Sequence, residues 1–234
     1  MQEASKSVTG TATGSMISGN KTVGNKTTGN ETVRRVETKK IAKIGVLSAI
    51  AVVLMLFEIP LPFAPSFYKL DLSEVPVLIG CFAMGPVAGA TIEFIKILLN
   101  FIIDGSVTAG VGELANFLIG CAFCVPAGIV YRKHKTKKHA LMGMALGTVI
   151  MVAVGCVLNA YVLLPAYATA FQMPIQGLVE MGSAVNGNIT NIMTFVLFAV
   201  APFNLVKGIV VSGIVFISYK KVRMGTANTL FSGE

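Results

Sequence analysis

The sequence predicts an all-α integral membrane protein with six transmembrane helices and both termini in the cytoplasm. The chain of 234 residues is 54% hydrophobic and only 13% charged, whereas soluble domains are roughly one-quarter charged. Long apolar runs recur between residues 41 and 219, and a helix of roughly 20 apolar residues crosses the hydrocarbon core. Most of the basic residues cluster at the ends of these runs and in one loop between them. Because lipid offers no partners for backbone groups, a helix bundle is the architecture that satisfies them.

Six apolar segments are the predicted helices: residues 41–59, 74–86, 87–103, 112–131, 140–164 and 192–219. The second and third segments are short and are joined by the tight "GPVAG" connection. The predicted membrane domain therefore covers residues 41–222. Residues 1–40 are polar and contain the near-repeat "GNKTVGNKTTGNETV", so they are predicted to form a disordered cytoplasmic tail. Residues 223–234 are predicted to be a second, short cytoplasmic tail.

The distribution of basic residues sets the predicted topology. Of the 19 Lys and Arg residues, eight lie in residues 1–43, five in "RKHKTKKH" at 132–139 and three after residue 219. Six spans with the amino terminus inside place all three clusters on the cytoplasmic face, whereas five or seven spans do not. No basic face interleaved with aromatic residues is present. The net charge of +8 therefore indicates a lipid bilayer as the partner and no nucleic acid.

Ionisable residues inside the predicted spans are candidates for function, because each costs about 2.5–3.5 kcal/mol at a helix centre on insertion scales. Glu93 and Lys96 are spaced i, i+3 on one helix, where they can pair. They are either part of a site or a structural ion pair. Lys207 has Asn204 one turn before it, and the two offer donors and an acceptor to a ligand. The alternative is that Lys207 pairs with Glu93 across helices.

Two further amides, Asn116 and Asn159, lie in predicted spans. Either one alone is more often a hydrogen bond between packed helices. Together with Lys207 they predict an outward-facing pocket between helices, mostly apolar with a few placed polar groups. The chain has no P-loop, G-x-S-x-G or H-E-x-x-H motif. The sequence therefore predicts no catalytic residues, no metal site and no enzyme.

Small residues form a stripe on the first predicted helix, with Gly45 and Ala49 four residues apart and Ala42 nearby. Such spacing lets a second helix approach closely. The contact is either internal or with a partner protein, and the sequence leaves both open.

Several motifs in order resemble the substrate-binding S components of energy-coupling factor (ECF) vitamin transporters, and more narrowly their riboflavin-specific members. The motifs are "KLDLSEVP", "GPVAGATIEFIK", "GELANFLIG", "LNAYVLLPAY" and "PFNLVKG". The resemblance implies a six-helix fold in the cell membrane of a bacterium or archaeon. It also implies assembly with a transmembrane T component and two ATP-binding subunits. Riboflavin is then the transported substrate, and no cofactor is expected.

The resemblance also implies a binding site. Asn159, Asn204 and Lys207 are expected to contact the flavin, and Leu70 is expected to contribute through its backbone. The predicted ligand-binding set further contains Tyr68, Glu93, Lys96 and Asn116. Ala42, Gly45 and Ala49 match the surface that docks the T component, although Gly45 replaces the usual alanine. The alternatives are another vitamin or heterocycle or, in a different class, an ion-coupled porter.

Overall fold

Most of the described residues lie in helices. The computed structural model describes residues 23–228 except 63, 66 and 67, and describes side chains only within residues 37–218. The described residues from Lys39 onward form one compact unit, which contains every contact discussed below. Of the predicted disordered tail, residues 1–22 lie outside the described residues, and the first helix begins at Val23. The division into domains therefore stays a prediction.

In chain order the elements are α1 (Val23–Met55), β1 (Ile59–Pro60), β2 (Lys69–Leu70), α2 (Glu74–Met84), α3 (Pro86–Asp104), α4 (Val111–Lys133), α5 (Lys137–Leu158), α6 (Leu164–Ala170), α7 (Ile175–Ser183), α8 (Ile192–Phe195) and α9 (Ala201–Asn228). Two stretches of π-helix, Asn159–Leu163 and Val196–Val200, join α5 to α6 and α8 to α9. Each junction is continuous helix, so π turns interrupt two long helices at internal positions. Such insertions are frequent at functional sites.

Four helices in the described part of the chain are long and apolar enough to cross a membrane: Pro86–Asp104, Val111–Lys133, Lys137–Ala170 and Ile192–Ser218. Helix α2 is apolar but has only 11 residues. At a rise of 1.5 Å per residue it spans about 17 Å, which is shorter than the hydrocarbon core. The described residues thus form a mostly helical fold with four candidate membrane spans, while six spans and two cytoplasmic termini remain predictions.

The loop between the first two predicted spans, residues 60–72, is predicted to be outside the cell and is called the first loop below; it carries most of a small hairpin. Strands β1 and β2 pair antiparallel, with Ile59 opposite Leu70 and Pro60 opposite Lys69. The hairpin returns the chain to the bundle directly before α2. It therefore places Asp71 beside the start of that helix.

Helices α2 and α3 meet at Gly85, as the "GPVAG" motif predicts. Gly85 has φ of 100°, a conformation that residues with a Cβ rarely adopt. Pro86 is the first residue of α3, where its missing N–H costs nothing and its fixed φ suits the helix. The turn is tight because these two residues satisfy its backbone geometry.

Two buried apolar clusters hold the bundle together. One joins the first loop to α6, α7 and the start of the last long helix, and includes Tyr68, Leu164, Leu178, Phe195 and Val200. The other joins α2, α3, α4, α5 and α9 through Val77, Ile92, Phe123, Met144 and Val211. Large apolar side chains on the outer faces of the long helices stay exposed, as Ile102, Val149 and Ile209 do. Lipid contact accounts for such faces.

Candidate ligand-binding site

A cavity of about 390 Å³ lies among the first loop, α3, α4, the α5–α6 helix and α9. Its volume falls in the usual range of ligand pockets, roughly 300–1,000 Å³. Its apolar wall includes Met55, Ile119, Leu163 and Phe203. The polar residues of its wall are Glu58, Tyr68, Lys69, Asp71, Asn100, Asp104, Thr108, Glu113, Asn116, Asn159, Tyr167, Asn204 and Lys207.

Two asparagines on the cavity wall are held by their own helices. Asn159 Nδ2 donates to the Gly155 carbonyl at 2.7 Å, and Asn204 Nδ2 donates to the Val200 carbonyl at 3.0 Å. Asn159 begins the first π stretch, and Val200 ends the second. In each amide, one N–H donates to a carbonyl of the same helix, which fixes the side chain. The other N–H is left for a ligand.

Tyr68 closes this part of the wall from the first loop. Its hydroxyl donates to Asn159 Oδ1, and its ring lies 5.3 Å from that of Phe203, centroid to centroid. Burial raises the pKa of Tyr68 well above its ordinary value, so the hydroxyl keeps its proton and remains a donor. The loop is thereby attached to both long helices that carry the asparagines.

Lys207 is buried, and its partners come from the loop and the start of α2. Its Nζ donates to Asp71 Oδ2 at 3.0 Å and lies 3.9 Å from Glu74 Oε1. The alternative that Lys207 pairs with Glu93 is therefore wrong in this structure. The physical reason is that the hairpin brings the "DLSE" segment closer to Lys207 than α3 comes.

Asp71 is locked by the residue two positions later. Ser73 donates to Asp71 Oδ1 from its backbone N–H at 2.8 Å and also from its hydroxyl. Burial by itself would raise the pKa of Asp71, but the charges of Lys207 and Lys96 and the Ser73 hydrogen bonds outweigh it and hold the pKa well below its ordinary range. Asp71 is therefore an ionised, oriented acceptor.

Glu93 and Lys96 form the predicted i, i+3 pair, with Lys96 Nζ 2.7 Å from Glu93 Oε2. Lys96 also donates to Glu74 Oε1 at 3.0 Å. Glu74 thus lies between the two lysines and joins them in one buried cluster. Both members of the α3 pair are fully buried, and neither lines the cavity.

The structure brings five residues of the predicted ligand-binding set to one cavity: Tyr68, Asn116, Asn159, Asn204 and Lys207. Leu70 is buried in the apolar cluster of the first loop and is not part of the cavity wall. Ligand binding itself remains a prediction for all eight residues. The sequence analysis did not assign Asp71 and Glu74, although a buried lysine needs an acidic partner and both acids stand in the "KLDLSEVP" motif.

The outer part of the wall is acidic. Glu58 and Lys69 form an exposed ion pair across the hairpin. Ser106 donates to Glu113 at 2.8 Å, and Asp104 stands beside them on the wall. Lys69 is the one cation among the described residues of this outer part, against three carboxylates.

Comparisons with known proteins are consistent with these features. The family model described as "ECF transporter, substrate-specific component" matches residues 39–219. A protein named riboflavin transporter RibU from Staphylococcus aureus (strain TCH60) is 34% identical over 186 residues, covering 80% of this chain and 91% of its own length. Riboflavin transporter FmnP of Bacillus subtilis (strain 168) is 34% identical over 188 residues, covering 80% and 93%.

A solved structure of the S component of a bacterial ECF transporter is also similar. It is 33% identical in sequence and superposes with a TM-score of 0.64. The match covers 80% of this chain and 97% of that one. Fold and sequence thus point to the same family.

Proposed function

We propose that this chain, which belongs to the family of substrate-specific components of ECF transporters, binds riboflavin and delivers it as the S component of an ECF importer. The names of the two relatives that are 34% identical support riboflavin as the ligand. The observation that carries the proposal is that Asn204 and Lys207, one turn apart on α9, both lie on the wall of the cavity. Flat apolar ligands with one polar edge suit such a site.

The proposed pose places the polar edge of the isoalloxazine ring against Asn204 and Lys207, with the ring body against the apolar wall. Asn159 and Tyr68 bound the ring from the loop side, and Asn116 contributes a further polar group. The N–H donors of Asn204 and Lys207 that the protein does not use are costly to leave unpaired once the ligand excludes water from them. A ligand without matching acceptors is therefore rejected.

Glu93 and Lys96 act indirectly in this proposal. They lie off the cavity, and Lys96 shares Glu74 with Lys207. Their role is to hold Glu74, and Glu74 helps to hold the Lys207 ammonium. Leu70 positions the loop between Tyr68 and Asp71.

The proposed assembly places this chain in the cell membrane with a T component and two ATP-binding subunits, which supply ATP hydrolysis. The small residues Ala42, Gly45 and Ala49 on α1 are exposed, and apart from the adjoining residues and backbone of α1 itself nothing lies within 4 Å of the position that a Cβ would take at Gly45. A neighbouring helix can approach such a surface closely. We assign it to T-component docking, with six spans and both termini inside.

The test is quenching of riboflavin fluorescence by the detergent-purified protein. We expect tight quenching by the wild type and a loss of affinity of about 100-fold or more in an Asn204→Ala, Lys207→Ala double variant, because two hydrogen bonds, one from a charged donor, are removed. The matched control is an Asn188→Ala, Lys135→Ala double variant, which changes the same residue types at exposed positions. Equal quenching by all three proteins would contradict the site. Absence of quenching by the wild type would contradict the ligand.

A further inference from the structure

The acidic partner of Lys207 is itself part of the cavity wall. Asp71 and Lys207 both line the cavity, and their carboxylate and ammonium are 3.0 Å apart. Their side chains keep 10% and 9% of their surface exposed, respectively. The cavity therefore presents a hydrogen-bond acceptor directly beside a donor.

Asp71 has acceptor capacity left after its protein contacts. Oδ1 accepts two hydrogen bonds from Ser73, whereas Oδ2 accepts one from Lys207. An ionised carboxylate has about four lone-pair sites, two on each oxygen. One site on Oδ2 is thus open, on a side chain whose direction is already fixed by Ser73.

The charges of the buried cluster also favour a ligand that donates. The cluster contains three carboxylates, from Asp71, Glu74 and Glu93, and two ammonium groups, from Lys96 and Lys207. Glu74 Oε2 and Glu93 Oε1 have no hydrogen-bond partner among the described residues, whereas Glu93 Oε2 is 2.7 Å from the Lys96 ammonium. Glu74 and Glu93 lie off the cavity, so the excess negative charge of the cluster borders the cavity only at Asp71. An N–H from the ligand is more favourable there than another acceptor.

The neighbouring groups supply donors. Lys207 has two N–H donors left after its bond to Asp71, and Asn204 has one left after its bond to Val200. A ligand edge that complements one acceptor and these donors carries an N–H flanked by carbonyl oxygens, which is an imide. A ring with an imide edge is the chemical class that this wall fits.

We propose that Asp71 is a specificity-determining residue that accepts a hydrogen bond from the imide N–H of the ligand, while Lys207 and Asn204 donate to the carbonyl oxygens beside it. The inference rests on the proposed function, because the isoalloxazine ring of riboflavin carries an N–H at position 3 between two carbonyls. The proposed hydrogen bond to Asp71 lets the protein recognise a donor on the ligand, in addition to the acceptors that Lys207 and Asn204 contact. Methylation of that nitrogen removes the donor and brings an apolar group against an ionised carboxylate.

The experiment compares riboflavin with 3-methylriboflavin in quenching titrations of the wild type and of Asp71→Ala. Hydrogen bonds to charged groups are among the strongest in proteins, so the wild type is expected to prefer riboflavin by about 10- to 100-fold. In Asp71→Ala this preference should fall to within about threefold, since neither the acceptor nor the clash remains. The quantity of interest is the ratio of the two dissociation constants within each protein.

That ratio separates direct contact from a positioning role. If Asp71 only positions Lys207, Asp71→Ala weakens both ligands equally, the ratio is preserved and the inference is overturned. Asn159→Ala is the control, and it should weaken both ligands while preserving the ratio. Should Asp71→Ala fail to fold, Asp71→Asn replaces it. This variant keeps the shape but replaces the charged acceptor with a weaker neutral one, so the preference should narrow without vanishing, and a ratio wider than that of the wild type overturns the inference.

Titrations of the wild type test riboflavin binding and the Asp71 contact separately. Equal affinity for riboflavin and 3-methylriboflavin overturns the role of Asp71 and leaves riboflavin binding intact. Failure to bind riboflavin overturns the proposed function, and the inference falls with it.

Discussion

Lys96 and Lys207 are both buried ammonium groups in apolar helices, yet their surroundings differ. Lys96 is fully buried and lies 2.7 Å from Glu93 and 3.0 Å from Glu74. Lys207 has one close acid, Asp71 at 3.0 Å, and it lines the cavity. Burial of a charge in a span marks both residues as unusual. Burial alone therefore does not distinguish a ligand-binding lysine from a structural one. The difference is that Lys207 borders the cavity and Lys96 does not.

The comparison predicts that removal of the Lys96 charge has the largest effect on stability. Lys96→Met leaves Glu93 and Glu74 without their principal buried partner, which lowers the free energy of unfolding by about 3–5 kcal/mol. Thermal unfolding in detergent can be followed with a thiol-reactive dye, because Cys81 and Cys124 are free and buried. The surviving folded fraction should bind riboflavin, the proposed ligand, with an affinity within about threefold of the wild type.

Two variants sharpen this result. Lys69→Met removes a lysine from the exposed ion pair with Glu58, and we expect little change in melting temperature because solvent screens that pair. Adding Glu93→Gln to Lys96→Met should recover part of the lost stability, since an unpaired buried charge is removed. An unchanged melting temperature with lost binding would instead place Lys96 at the ligand and abolish the distinction between the two lysines.

The same contrast shows what sequence can predict. The apolar runs predicted α3 and α4 to within two residues at each end, with 87–103 for Pro86–Asp104 and 112–131 for Val111–Lys133. Polar residues in apolar runs likewise selected Asn159, Asn204 and Lys207, which the structure places on one cavity wall. These features are local, since hydrophobic periodicity and intramembrane charge are visible within a single segment.

Features that depend on tertiary contact were not predicted. The two-residue strands β1 and β2 are too short to show an alternating pattern, and the two π stretches have no sequence signature of their own. Asp71 looks like an ordinary loop acid in the sequence. Its significance arises only because the hairpin brings it to Lys207, 136 positions away in the chain.

A matched pair of glycine substitutions tests the same contrast between the buried Lys96 cluster and the cavity wall near Lys207, with smaller expected effects. A Cβ at Gly120 would lie 2.6 Å from Glu93 Cδ, and one at Gly155 would lie 3.0 Å from Asn204 Nδ2. Both glycines are inside helices, so alanine gains the same helix propensity, roughly 1 kcal/mol, at each. The difference between the variants therefore reports the neighbouring side chain.

We expect Gly120→Ala to lower stability by about 1–3 kcal/mol, because Glu93 has no space to move in a fully packed cluster. Gly155→Ala should instead displace the Asn204 amide by a few tenths of an ångström and weaken riboflavin binding by about three- to tenfold. Dye-monitored melting and quenching titrations on both proteins check this. The reverse pattern, with weaker binding in Gly120→Ala and lower stability in Gly155→Ala, would contradict the assignment of the Lys96 cluster to stability and of the Lys207 wall to ligand binding.

The smallest expected effect is that of pH on the Lys207 region. Lys207, Lys96 and Ser73 hold the pKa of Asp71 below its ordinary range, against the opposing effect of burial. A carboxyl group whose pKa is lowered by folding contributes its full stabilisation above its unfolded pKa, about 3.9 for Asp, and that contribution is lost as pH falls from there toward the folded pKa.

Riboflavin affinity should therefore vary by less than about twofold between about pH 5.5 and pH 8. Below about pH 4 the melting temperature of the wild type should fall more steeply than that of Asp71→Asn, which has no such carboxylate to protonate. Quenching titrations and dye-monitored melting across the range measure both, and a tenfold change in affinity between pH 6 and pH 8 would show that Asp71 is not fixed as an ionised acceptor by its contacts with Lys207 and Ser73.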